Sequence, residues 1–198
     1  MRLVLIRHGA TAWSVTGEHT GRTDVSLSDA GREELVPLER VARDALGERW
    51  NDATIYSSPL ERALVSARLV MGEGRDITLD PRLVEFDYGQ YEGLRPEEIR
   101  GQRPGWDIWL DGCPGGEDVV DVGRRLSAFL ADAAATQETA IVFAHSHVIR
   151  IMAAISVGLD ARDGRIFTLD TASLSVIGDV RGKRVIERWN VRSLRALT

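Results

Sequence analysis

The chain has 198 residues, a formal net charge of −5, 43% hydrophobic and 28% charged residues. That profile fits a soluble globular chain able to bury a sizeable core in a single domain over residues 1–198. It argues against a general nucleic-acid binder, whose surface must match a phosphate backbone, and the apolar stretch Val148 to Val157 is short for a bilayer and contains Arg150.

Leu3 to Ile6 are four consecutive apolar residues within a strand expected over Arg2–Arg7, the pattern of a strand buried on both faces. It runs into Arg7, His8 and a flexible Gly9. In open α/β sheets, ligands bind off the carboxyl ends of the strands, and an imidazole with a guanidinium there suits a phosphate. A helix is expected over Ser28–Leu46, kinked or split by Pro37. A short strand, Thr54–Ser57, precedes a helix over Pro59–Met71. Ser58 is its expected N-cap, Pro59 takes the first helical position, and Glu61 sits where a capping box places a carboxylate. Arg62 then lies in the first turn, beside free backbone N–H groups and the positive dipole end.

Ile77–Leu79 reads as a third strand, Pro96–Gly101 as a short helix and Glu117–Ala135 as a long one. Thr139–Ala144 is another buried strand and ends in His145-Ser146-His147, with a helix from His147 to Val157. Ser173–Gly178 and Val185–Trp189 read as an antiparallel pair at a sheet edge, turning near Gly182. Strands alternating with helices predict an α/β fold with a mostly parallel sheet covered on both faces. Three separate strand exits thus supply His8, Arg62 and His145.

Two segments, Gly9–Leu27 and Asp80–Gly116, lack periodicity, and long irregular segments in a compact domain are usually functional. Both are expected to cover the carboxyl end of the sheet and wall a cleft. Their aromatic residues, Trp13, Phe86, Tyr88, Tyr91, Trp106 and Trp109, read first as a satellite core. Cys113, the single cysteine, excludes an internal disulfide framework and fits a reducing compartment, so the cytoplasm is the expected location. In D-G-C-P-G-G it reads as a loop thiol.

Four segments together resemble the histidine phosphatase superfamily, the phosphoglycerate-mutase-like enzymes. They are R-H-G at Arg7 to Gly9, S-S-P-L-E-R-A at Ser57 to Ala63, L-V-E-F-D-Y-G-Q-Y-E-G at Leu83 to Gly93, and F-A-H-S-H-V-I-R at Phe143 to Arg150. The resemblance covers roughly Met1 to Asn190. The stretches Trp13 to Asp24 and Trp109 to Glu117 are further similar to a subgroup of small phosphatases, which includes bacterial acid phosphatases and fungal sedoheptulose bisphosphatase.

The resemblance implies a three-layer α/β/α sandwich and a metal-independent phosphomonoester hydrolase that needs no cofactor. Its expected partner is a small phosphorylated metabolite, a sugar phosphate or bisphosphate among them, with no nucleic acid or membrane; a homodimer is left open. His8 is implied as the nucleophile, forming a phosphohistidine and splitting the transfer into two steps. Arg7 and Arg62 are implied to bind phosphate, since a guanidinium offers a planar fork of donors. His145 completes the pocket as a cation or N–H donor. Glu85 is implied as acid and then base, with Asp87 and Glu92 as neighbouring alternatives that the residues alone do not rank. Ser14, Thr20, Gly21 and Tyr88 fall where the family contacts its ligand.

Departures from the mutase pattern favour hydrolysis. Ala10, Ser14 and Gly17 stand at positions where mutases carry other residues, and the longer insert with paired arginines has no counterpart. Arg22 is expected as an extra anionic contact near the cleft. His145-Ser146-His147 replaces the usual His-Gly-Gly. The alternatives are a phosphoglycerate mutase, a non-catalytic phospho-ligand binding module, and a metal hydrolase using His145 and His147. The last lacks a DxH or HExxH partner motif.

Overall fold

The computed structural model describes residues 1–194. In chain order its elements are β1 (Arg2–Arg7), α1 (Ala12–Thr16), α2 (Asp29–Leu35), α3 (Leu38–Leu46), β2 (Thr54–Ser57), α4 (Glu61–Met71), β3 (Ile77–Leu79), α5 (Pro96–Gln102), α6 (Ile108–Asp111), α7 (Val119–Thr136), β4 (Thr139–Ala144), α8 (Ser146–Ser156), β5 (Leu174–Val180) and β6 (Lys183–Val191). They build one six-stranded sheet in the order β3-β2-β4-β1-β5-β6. The β3–β2, β2–β4 and β4–β1 pairs are parallel; β5 runs antiparallel to both β1 and β6.

The apolar runs explain the layering. Side chains alternate across a strand, so Leu3 and Leu5 of β1 join one buried cluster while Val4 and Ile6 join the other. In β4, Ala140, Val142 and Ala144 face the first side, and Ile141 and Phe143 face the second. The first face is covered by α7 and α8 through Val122, Leu126, Phe129, Val148 and Met152. Leu35 of α2, Leu38 and Val41 of α3 and Val70 of α4 cover the other. The result is the expected three layers with a mostly parallel sheet.

Most expected elements stand within two residues of their predicted ends. The helix of residues 28–46 is split at Pro37 into α2 and α3, with Ser28 Oγ accepting the Gly31 N–H at 3.0 Å. The β5–β6 hairpin turns through Arg181 and Gly182, both at positive φ (54° and 76°), the backbone a two-residue hairpin turn needs. One expectation fails. Helix α4 begins at Glu61, not Pro59, and neither Ser58 nor Glu61 forms a capping box. The Glu61 N–H donates instead to both carboxylate oxygens of Asp24, at 2.9 and 3.0 Å. A remote carboxylate from the first long segment therefore caps this helix, and the Ser58 hydroxyl accepts the Leu60 N–H at 3.3 Å just before it.

Strands β2, β4 and β1 are consecutive neighbours and parallel, so their carboxyl ends deliver Ser58, His145 and His8 side by side. Backbone bonds fix these exits: His8 N–H donates to Ala144 O at 3.2 Å, Ser58 N–H to Phe143 O at 3.0 Å, and Ala172 N–H to His8 O at 2.9 Å.

Candidate active site

The two long segments fold over this edge and enclose a cavity of about 200 Å³ lined by Arg7, His8, Ser14, Thr20, Glu85, Tyr88 and His147, among others. The Gly9 backbone passes so close to α2 that a Cβ there would meet Gly31 O at 2.1 Å. The His8 ring lies 5.1 Å from that of His145, centroid to centroid.

Hydrogen bonds set the two imidazole tautomers. His8 Nδ1 lies 2.7 Å from Gly9 O, and a carbonyl only accepts, so Nδ1 carries the proton and Nε2 carries the lone pair. Arg62 Nε donates to His145 Nδ1 at 3.2 Å, so that nitrogen is the lone pair and Nε2–H donates to Ser58 Oγ at 2.8 Å. Burial, reinforced by nearby charges including Arg7 and Arg62, holds both imidazoles well below the ordinary histidine pKa. His145 is therefore an uncharged N–H donor at neutral pH, and of the two roles expected for it the cationic one is disfavoured.

Glu85 is 4% exposed and lines the cavity. Its Oε1 accepts the Phe86 and Val148 N–H groups at 2.9 and 3.2 Å, and Oε2 accepts the His147 N–H at 3.2 Å. It thus caps α8, whose N-cap residue His145 makes no side-chain cap bond of its own. Burial raises the Glu85 pKa, while the three N–H donors and Arg62 pull it down; the net direction is upward. Arg125 of α7 holds this segment in place, donating to the Val84 and Glu85 carbonyls at 2.8 and 3.3 Å and pairing with Glu117. The alternatives Asp87 and Glu92 point elsewhere. Asp87 pairs with Arg22 at 2.8 Å, and Glu92 accepts the Gly21 and Thr23 N–H groups.

The arginines divide. Arg7 lines the cavity; Nη1 donates to Leu169 O at 2.5 Å, and its buried Nε has no protein partner. Arg62 is fully buried and stands behind the cavity rather than on its wall. Besides His145, it donates to the Thr20, Gly21 and Thr23 carbonyls at 2.9–3.0 Å. Its fork thus holds the first long segment in this conformation.

Ser14 and Thr20 line the cavity with their hydroxyls already bonded to the Thr11 and Glu18 carbonyls. Gly21 does not line the cavity, and its backbone N–H is not free for a ligand. Its N–H goes to Glu92 at 2.9 Å, and a Cβ there would meet Phe86 O at 2.4 Å, so the glycine serves close packing. Arg22, too, is held outside the cavity by Asp87. Tyr88 lies in the wall, with its hydroxyl 2.8 Å from His147 Nδ1.

His19 was not singled out by its sequence, yet it stacks on Tyr88 at 4.4 Å between ring centroids, and burial near Arg100 lowers its pKa to about 4. Cys113 is buried, its thiol pushed up to about 12, so the loop thiol is inert. Phe86, Tyr91, Trp106 and Trp109 are buried in the core beneath the cleft, as read. Among the described residues, no three His, Cys, Asp or Glu side chains converge as a metal set, and no helix is long and apolar enough to cross a membrane.

Comparison with known proteins places the chain among phosphatases. The chain is 37% identical over 186 residues to an acid phosphatase of Mycobacterium tuberculosis, covering 92% of this chain and 89% of that protein. It is 35% identical over 185 residues to the sedoheptulose 1,7-bisphosphatase of Saccharomyces cerevisiae, covering 80% and 68%. A solved structure of a Mycobacterium tuberculosis open reading frame product superposes with a TM-score of 0.88 at 34% identity, covering 96% of this chain and 97% of that one. Residues 3–192 match the family model as a whole, and the chain belongs to the histidine phosphatase superfamily, branch 1.

Proposed function

We propose that this protein hydrolyses small phosphomonoesters through a phosphohistidine formed on His8. The observation that carries the reading is the His8 tautomer. With Nδ1–H tied to Gly9 O, the neutral ring has its lone pair on Nε2, and its low pKa keeps that pair unprotonated at neutral pH. Nε2 attacks phosphorus as the ester P–O bond breaks. Arg7, on the cavity wall, stabilises the charge spread over the equatorial oxygens, while His145, whose Nε2–H is held by Ser58 Oγ, stands behind the wall with Arg62. Arg62 adds its positive charge from behind and keeps His145 and the Thr20–Thr23 backbone in position.

The leaving alkoxide needs a proton, and Glu85 supplies it. Its raised pKa suits the acid role, while the α8 N–H donors keep the carboxylate accessible for the second step. The carboxylate then takes a proton from water as the water oxygen attacks phosphorus, the P–Nε2 bond breaks, and phosphate leaves. Relatives named for acid phosphatase and sugar bisphosphatase activity support a small phosphorylated metabolite as substrate.

The test is release of inorganic phosphate by the purified protein from sugar monophosphates, sugar bisphosphates and p-nitrophenyl phosphate, with and without EDTA. Release that persists in EDTA is the expected result, because arginines and N–H donors supply the charge stabilisation. Isomerisation of 3-phosphoglycerate without phosphate release would overturn it in favour of a mutase. Loss of activity in EDTA, restored by Zn²⁺ or Mg²⁺, would establish a metal-dependent reaction.

A further inference from the structure

His147 stands at the start of α8 and touches two parts of the cavity wall at once. Its backbone N–H donates to Glu85 Oε2 at 3.2 Å, a contact any residue but proline could make, so the imidazole is left for other work. The ring lines the cavity, and its Nδ1 lies 2.8 Å from the Tyr88 hydroxyl, across 59 positions of sequence. Phe86 and Trp109 pack around it at 6.0 and 5.1 Å between centroids. The Tyr88 ring is held more closely still, stacked on His19 at 4.4 Å and on Phe86 at 5.5 Å. Packing fixes the phenol oxygen, and only the direction of its proton is left to be set. Burial keeps the phenol protonated and, with Arg150 nearby, keeps the imidazole neutral. A neutral imidazole carries one N–H and one bare nitrogen. The lone pair of that bare nitrogen lies in the ring plane and accepts strongly, whereas the phenol oxygen shares its lone pair with the aromatic ring. The stronger arrangement is therefore O–H···Nδ1, with the His147 proton on Nε2. The Tyr88 oxygen, its proton committed, then offers the cavity lone pairs only.

We propose that His147 is a positioning residue that makes Tyr88 a hydrogen-bond acceptor in the cavity, and that this acceptor favours phosphomonoesters whose alcohol carries a further hydroxyl. Phosphate oxygens are acceptors too, so Tyr88 meets the alcohol part of the ester and not the phosphoryl group. An ester of a plain alkyl alcohol would take water from this oxygen and give it no donor in return. The selection among esters rests on the phosphatase reading above; the direction of the Tyr88–His147 bond does not.

Two measurements test this. The first is nitrogen NMR of the wild type labelled at histidine, with the His147 signals assigned by their loss in His147→Asn. Nδ1 should be bare and Nε2 protonated; a protonated Nδ1 overturns the proposal. The second is the ratio of kcat/KM for glycerol 3-phosphate to that for n-propyl phosphate, two esters with the same carbon chain that differ in their hydroxyls. That ratio should fall about fivefold or more in both Tyr88→Phe and His147→Leu, the size of one net hydrogen bond. The double variant should fall no further than either single one, because both remove the same contact. His147→Asn, close to Leu in size but able to accept the phenol proton, should keep the wild-type ratio. An unchanged ratio in Tyr88→Phe or His147→Leu overturns the proposal. An equal fall in His147→Asn and His147→Leu also overturns it, since the ring would then serve packing alone. Should the variants fail to fold, the wild-type NMR still decides the direction of the bond. Absence of phosphate release from both esters and from p-nitrophenyl phosphate would fault the phosphatase reading instead, and a bare Nδ1 would leave the His147 assignment standing.

Discussion

Replacing Glu85 by Gln separates proton donation from every other role of this residue, because the geometry predicts opposite sensitivities. The Gln carbonyl can still accept the Phe86 and Val148 N–H groups, but its amide nitrogen would face the His147 N–H, donor against donor. The lost charge-assisted bond costs about 1–3 kcal/mol and the lost dipole interaction at the start of α8 about 0.5–1 kcal/mol. Relief from burying a charge offsets part of this. The variant should remain folded, with a melting temperature lowered by a few degrees. Catalysis should change far more: a positioned acid contributes about 10²–10⁴-fold, roughly 3–5 kcal/mol of barrier. The assay is kcat/KM, which reports the first chemical step, for a sugar phosphate and for p-nitrophenyl phosphate. The sugar alkoxide needs the proton and should lose at least about 10²-fold, whereas the aryl oxide leaves with little help and should lose much less. Equal losses for the two would refute the assignment, and Asp87 would then be tested.

Arg62→Ala should behave differently, weakening all phosphate esters alike. It also leaves the buried Gly21 carbonyl, the part-buried Thr20 and Thr23 carbonyls and His145 Nδ1 without donors, so a stability loss of about 2–3 kcal/mol is expected in urea unfolding; an unchanged midpoint would contradict the packing described. Stability should also fall with acid. His8, His19, His145 and His147 all have folded pKa values below the ordinary 6.5, so the unfolded chain binds more protons once the pH drops through that value. For His19, with a folded value near 4, the loss between pH 6.5 and 5 is about 2 kcal/mol, and the other three act in the same direction. Glu85, raised when folded, acts oppositely at lower pH and offsets only part of this. A melting temperature that stays flat from pH 7 to 5 would contradict these burial assignments.

Much of the fold was legible because its strands are short apolar runs ended by turn residues. Arg2–Arg7 and Thr139–Ala144 needed no tertiary information beyond burial on both faces, while the half-buried Thr54–Ser57 and the edge strand Ile77–Leu79 were marked by their short β-prone runs between turn residues. The start of α4 was misread because Ser-Pro-Leu-Glu is locally a capping signal, and only the folded chain brings Asp24 across 37 positions to do that work. The strand ends carried His8, Arg7 and His145 into one place, as adjacency in a parallel sheet requires. The directions of side chains were not legible. Arg62 faces the first long segment rather than the cavity, and Glu92 and Asp87 serve backbone and Arg22 contacts. His19 and the Tyr88–His147 bond stayed hidden for the same reason: these rings meet only through long-range packing of aperiodic segments.

The central claim is that His8 Nε2 receives the phosphoryl group. Rapid acid-free quenching of the wild type during turnover of a phosphomonoester, followed by peptide mass spectrometry, should find one phosphoryl group on the peptide carrying His8. The adduct should be lost in acid and stable in base. It should be absent from His8→Ala, whose turnover should be abolished. A phosphoryl group on another residue, or substantial turnover by His8→Ala with no covalent adduct, would contradict the account.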